Sequence, residues 1–273
     1  MLFLFLAVLC SVLIGNFLVV FNCKQNSDIR FIFLGNYIVA GLVSLVLALP
    51  QGISFKGFDL WFGALTGLFF LSNFVIYQRN IIVNGLSLSA GIMRVAVILP
   101  TLMSVIWFAD RLGMVNLIGI AVIITAFTVL TEIKHLHNLF WLFSLFLISG
   151  LTESTLKIYS ELGNPNQNPF LTVIFTLAGL FTLIWIALEK RKLHLKSLIR
   201  GFARGIPNQL SSLVFLLGLK TVPATIAYPF YASGIVLISI LCDIFIWKQL
   251  FTVKQRLALA LLFSGVLLVS LSR

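Results

Sequence analysis

Charge is what this sequence has least of. Asp, Glu, Lys and Arg together make up 10% of its 273 residues, against 60% apolar ones. A soluble domain carries about a quarter charged residues, so the composition excludes an ordinary water-soluble globule. Cysteine is scarce too. Cys10, Cys23 and Cys242 are scattered and odd in number, which points to neither a disulfide framework nor a metal site. Of three histidines, His135 and His137 stand near Glu132 in a short connection, with no third and fourth ligand at usable spacing. No metal and no cofactor is therefore expected. A glycine-rich phosphate loop, a Ser-His-Asp set and paired carboxylates within an apolar stretch are all missing. Enzyme activity is therefore not expected, and neither is an extramembrane domain that could drive ATP-powered pumping.

What is there instead is long apolar blocks. "MLFLFLAVLCSVLIGNFLVVF" and "TVIFTLAGLFTLIWIAL" contain no charged residue, and a helix needs close to 20 such residues to cross roughly 30 Å of hydrocarbon. The reading is an all-α integral membrane protein. Nothing basic precedes Lys24, and Leu9 stands before Cys10 where a lipoprotein cleavage wants a small residue, so the first helix is expected to be retained. A net charge of +11 invites a nucleic-acid reading. The basic residues sit between apolar blocks rather than along one face, and nucleic acid is excluded as a partner.

Charges, Pro and Gly divide the blocks into ten expected spans: 2–22, 31–49, 60–78, 86–107, 115–131, 138–157, 170–188, 204–219, 224–246 and 257–271. "EKRKLHLKSLIRGFAR" reads as a long basic connection before the eighth. A shift of 138 residues lays Gly67 on Gly205, Ile106 on Ile244, Leu112 on Leu250 and Val115 on Val253. Two five-helix units, 1–134 and 135–273, are expected. Five is odd, so they would lie inverted in the membrane, the plan of many secondary transporters. Odd-numbered connections carry 13 Lys and Arg; even-numbered ones with the C-terminus carry five. The positive-inside rule then puts both termini outside the cytoplasm.

"GLKTVPA" (Gly218–Ala224), "ADRL" (Ala109–Leu112) and "LIGNFLVVFNCK" in the first helix resemble the motifs of the ten-helix, EamA-like branch of the drug/metabolite transporter superfamily. Lys248 in "WKQL" stands where an acid would be usual, and Asn36 stands where that family has an arginine early in helix 2. The resemblance implies a multi-pass cell (inner) membrane transporter with its cavity between helices 1, 3, 4, 6, 8 and 9. It implies both termini inside, against the charge count.

Arg94 is the residue that asks for an explanation. It stands nine residues into its span, too deep to reach the interface easily, and a charge there needs a partner or a wet cavity. Two readings of a deep Arg94 stay open, beside a register error that would leave it near an interface. One is a structural ion pair with Glu153 or Asp243, although Glu153 lies roughly 10 Å away in depth. The other is a cavity charge recognising a carboxylate or phosphate. Glu153 is a candidate carrier of a coupling proton, or else an acid satisfied by Thr152, Ser154 or Thr155. Asn16, Asn73, Tyr77, Asn208, Gln209, Tyr228 and Tyr231 are the further candidate substrate contacts. Pro100, Pro207 and Pro229 are candidate hinges, since broken helices expose binding groups at a cavity.

The function expected is secondary transport of a small polar metabolite, anionic or zwitterionic, by export or exchange with alternating access. The alternative is a non-transporting membrane subunit or receptor of the same fold.

Overall fold

Uninterrupted apolar runs fold into helices because a lipid-facing backbone has no other way to satisfy its polar groups. The computed structural model describes every residue except 23–26, 53–54, 85, 131–138, 246–251 and 272–273. His135, His137, Glu132, Cys23, Lys24 and Lys248 therefore lie outside the described residues, as do the side chains of Asp243 and Ile244. The described residues form eleven α-helices and no strand: α1 (Leu2–Asn22), α2 (Ile29–Ala48), α3 (Gly57–Asn84), α4 (Leu86–Val95), α5 (Ile98–Trp107), α6 (Met114–Leu130), α7 (Leu139–Leu162), α8 (Asn168–Leu188), α9 (Leu195–Thr221), α10 (Ala224–Phe245) and α11 (Val253–Leu271). Within α2, α3, α7, α8 and α10 lie five segments long and apolar enough to cross a membrane. Their outward residues are as apolar as a core. Leu42, Phe140 and Leu188 are 57%, 68% and 77% exposed, a surface that suits acyl chains and not water.

Helix starts have local causes. Asp28 caps α2 by accepting from the Arg30 N–H at 3.1 Å. His194 Nδ1 accepts from Ser197 N–H at 3.3 Å and starts α9. That cap corrects the sequence reading, in which the eighth span begins at 204. Leu195, Leu198, Ile199 and Phe202 give the basic stretch a helical apolar spacing, so it folds as nine more residues of helix. Arg204, counted there as a loop charge, is a buried helix residue only 5% exposed. Lys157, counted in an even loop, is likewise buried in α7. At the loop before α9, Arg30 bridges to Glu189 at 2.8 Å and stacks over Trp185. Hydrogen bonds from Arg191, then Trp185, with Arg30 alongside, hold the Glu189 carboxyl below its usual range.

Small residues decide which helices meet. α9 packs on α2 and α1; α3 packs on α8 and α7; α6 pairs with α11, and α1 also meets α10. Gly63 and Gly67 bring α3 against Phe170, Val173 and Ile174 of α8. Gly201 and Gly205 bring α9 against Ile32 and Asn36 of α2. Close backbone approach at small residues is how helices associate in lipid. A Cβ on Gly201 would overlap the Ile32 carbonyl oxygen, which is backbone and cannot swing away. Gly201→Ala is therefore expected to destabilise the protein by about 1–3 kcal/mol, read as a lower Tm in detergent. Gly57→Ala, where a Cβ meets nothing within 4 Å, is the control. An unchanged Gly201→Ala Tm would show that α2 and α9 can separate freely.

Candidate functional site

The fourth apolar span is two helices, and Pro100 explains why. Proline has no N–H to give the Ala96 carbonyl. That oxygen accepts from Leu99 N instead, at 3.0 Å. The tightened turn ends α4 at Val95 and starts α5 at Ile98, leaving Ala96 and Val97 as the break. Arg94 sits in the last turn before it. Local sequence thus places a cation at a helix break in the interior of an apolar bundle.

Around Arg94 the structure brings together several of the expected site residues. The guanidinium is within Coulombic range of Glu153 on α7, Tyr77 on α3 and Tyr231 on α10. It makes no ion pair and no hydrogen bond with another described residue. A direct Arg94–Glu153 pair is thus absent among the described residues. Nor is Glu153 satisfied by its hydroxyl neighbours. Thr152, Ser154 and Thr155 bond back to the carbonyls of Ile148, Gly150 and Thr152, the usual use of a hydroxyl in a helix. The Glu153 Oε2 atom is buried with no donor among the described residues. Tyr228 donates to the Glu153 backbone carbonyl at 2.7 Å. Tyr231 Oη meets Ser11 Oγ at 2.7 Å and Ser211 Oγ at 3.3 Å, tying α10 to α1 and α9.

Arg94 also lines a cavity of about 80 Å³ with Val97, Leu117, Ile120, Phe127 and Pro229. Small-molecule sites run to roughly 300–1,000 Å³, so a metabolite would need this region to open. Two larger grooves, about 420 and 400 Å³, lie between α2 and α8 and between α3, α5 and α7. Their walls are almost wholly apolar (Leu42, Leu45 and Leu183; Leu65, Trp107 and Leu151), fit for lipid chains.

The remaining expected contacts divide. Asn73 accepts from Ser149 at 2.7 Å, a link between α3 and α7. Asn16 donates to the Val12 carbonyl of its own helix at 3.0 Å. Asn208 is half-buried, and Gln209 is fully buried with neither amide atom partnered among the described residues. Pro207 and Pro229 lie inside α9 and α10, which run on without interruption. Among the three prolines, Pro100 is the one at a break.

Sequence reasoning passed over a second polar region. Lys157 on α7 is 1% exposed, 3.2 Å from Asp110 and 2.6 Å from Glu161, with its ammonium over the Phe108 ring. Asp110 also accepts from the Ala224 N–H at 2.8 Å, capping α10, and Thr225 donates to the Arg111 carbonyl. Nearby, fully buried Asp59 accepts from Tyr159 at 2.7 Å and Asn164 at 2.6 Å. The signal was present: "ADRL" and "GLKTVPA" are the two motif segments, and they meet here, with Asp110 as the cap of the second.

Residues 138–271 match the model of the EamA-like transporter family. That stretch, just under half of the chain, is similar to the EamA-like domains of the drug/metabolite transporter superfamily. A solved structure titled "Crystal structure of protein" superposes with a TM-score of 0.79, over 99% of this chain and 96% of its own, at 13% identity. That likeness is one of fold. No curated protein matches the sequence. EamA-like proteins are generally membrane transporters and not enzymes. A small molecule and the lipid bilayer are the partners that the likeness to this family implies.

Proposed function

We propose that this EamA-like chain is a secondary transporter of a small polar metabolite in the cell (inner) membrane, an exporter or exchanger working by alternating access. The moving units would be two inverted five-helix repeats, 1–134 and 135–273, in ten spans with α4 and α5 as one. Packing supports the repeats. A shift of 138 residues turns Gly67 into Gly205 and its neighbour Ile174 into Asn36; it likewise turns Gly63 into Gly201 and Phe170 into Ile32. The same contact is thus made by α3 on α8 and by α9 on α2. The family match covers the second unit almost end to end.

The observation that carries the reading is Arg94 beside a helix break, without an ion pair among the described residues and within Coulombic range of Glu153, Tyr77 and Tyr231. A cation left unpaired at depth serves a ligand that arrives and leaves. Arg94 would hold an anionic group of the substrate. Tyr77, Tyr228, Tyr231, Asn16, Asn73, Asn208 and Gln209 would orient the rest. Pro100, with Pro207 and Pro229, would let helix segments tilt. Glu153, whose Oε2 lacks a donor, has room to carry a coupling proton.

Counterflow in proteoliposomes loaded with a panel of organic acids, amino acids and nucleosides tests this. At least one anionic or zwitterionic solute is expected to exchange. Glu153→Gln is expected to keep exchange while losing uptake driven by a pH gradient, because exchange needs no net proton movement. No counterflow across the panel would favour a non-transporting subunit. Gradient-driven uptake unchanged in Glu153→Gln would remove the proton role.

A further inference from the structure

Resting on the transport reading, we propose that Arg204 on α9 is a second anion-recognition group, serving the carboxylate of an organic acid whose body is planar and apolar. Arg204 is 5% exposed, and its Nε and Nη1 atoms are buried with no acceptor. Among the described residues it has no ion pair and no hydrogen bond. The acids that precede α2 and α9 pair elsewhere: Asp28 and Glu189 with Arg30, and Glu189 also with Arg191. A buried guanidinium without a carboxylate costs several kcal/mol unless something else neutralises it. Packing alone would favour an apolar residue there.

The surroundings say what the counter-anion looks like. The guanidinium lies 5.4 Å over the Phe33 ring. Phe33 meets Phe74 with centroids 3.6 Å apart and lies 6.1 Å from Tyr37. A cation set on such a wall takes a ligand with one charged end and a flat body. The wall also leads to the first site. Phe74 and Tyr77 share a face of α3 at i, i+3, and Tyr77 is in range of Arg94. On α9 itself, Asn208 follows one turn on. Ser211, bonded to Tyr231, lies roughly 10 Å beyond Arg204 by helical rise. Arg204 and Arg94 are tenth and ninth in their helices. In the ten-span reading α9 and α4 both follow odd-numbered connections, which puts their starts on the same side.

The probe is benzoate, with benzamide as its uncharged counterpart and inorganic phosphate as an anion without the ring. The full chain in detergent is melted across a concentration series of each. Benzoate is expected to raise the Tm of the parent saturably. In Arg204→Gln the half-saturating concentration is expected to rise at least about tenfold, the worth of a charge-assisted hydrogen bond. Benzamide and phosphate are expected to leave Tm unchanged. Parent-like benzoate binding in Arg204→Gln, no benzoate effect on the parent, or phosphate acting as well as benzoate would each overturn the proposal. Where Arg204→Gln does not survive extraction, Arg204→Lys makes the same comparison, since it keeps the charge and loses the planar fork. Counterflow of the metabolite panel on the same preparation reads transport separately. Benzoate binding that depends on Arg204 without any counterflow removes the transport reading and leaves this site. Counterflow with Arg204-independent benzoate binding does the reverse.

Discussion

Replacing Lys157 with alanine is expected to lower stability by about 3–5 kcal/mol, the usual cost of stranding a buried charge. Lys157 is 1% exposed, and its ammonium is shared by Asp110 and Glu161. Glu161 is 37% exposed, and water can take over its charge. Asp110 is 15% exposed and also caps α10 through the Ala224 N–H. Without Lys157 its charge is left against a helix start and little else. Thermal unfolding in detergent should show the loss directly. Adding Asp110→Asn to Lys157→Ala should recover most of it, because Asn keeps an oxygen for the Ala224 N–H and carries no charge. A Lys157→Ala protein melting like the parent would mean that the ammonium is wet after all. A double variant no better than the single one would assign the loss to packing of the lysine stem over Phe108.

For Arg94 the expected loss is in transport and not in stability. Arg94→Lys keeps a positive charge but loses the two-pronged hydrogen bonding that suits a carboxylate or phosphate. Transport is expected to fall by about tenfold or more, with Tm close to the parent's. Arg94 has no ion pair among the described residues, so its removal strands no partner acid. The opposite pattern would be a Tm drop of Arg94→Ala that Glu153→Gln restores, and it would make Arg94 a packing charge. A stable Arg94→Ala protein with undiminished transport would sink both roles. Initial rates of counterflow and melting curves on these variants separate the cases.

Arg94 also shows how far local reading goes. Its depth, its isolation and the nearby Pro100 are all properties of one stretch, and the break at Ala96–Val97 follows from proline's missing N–H. Arg204 was harder to see. It stands in a basic stretch, and five neighbouring cations made it look like one more loop charge. Only the continuation of α9 back to Leu195, and the glycine contacts of Gly201 and Gly205 with α2, put it inside. Lys157 was masked in the same way by its place near a helix end.

Hydropathy, charge and breakers act along the chain. They determined by themselves that this is a membrane protein and where its helices run to within a few residues for most of them. Which charges are paired was decided by tertiary structure alone. Asp110 meets Ala224 across 114 residues, Asp59 meets Tyr159 across 100, and Tyr231 meets Ser11 across 220. Partners so far apart leave no periodic trace in sequence. They are chosen by how closely glycines let the helices approach, and among the described residues that choice leaves Arg94, Glu153 and Arg204 without the partners that Lys157 and Asp59 found.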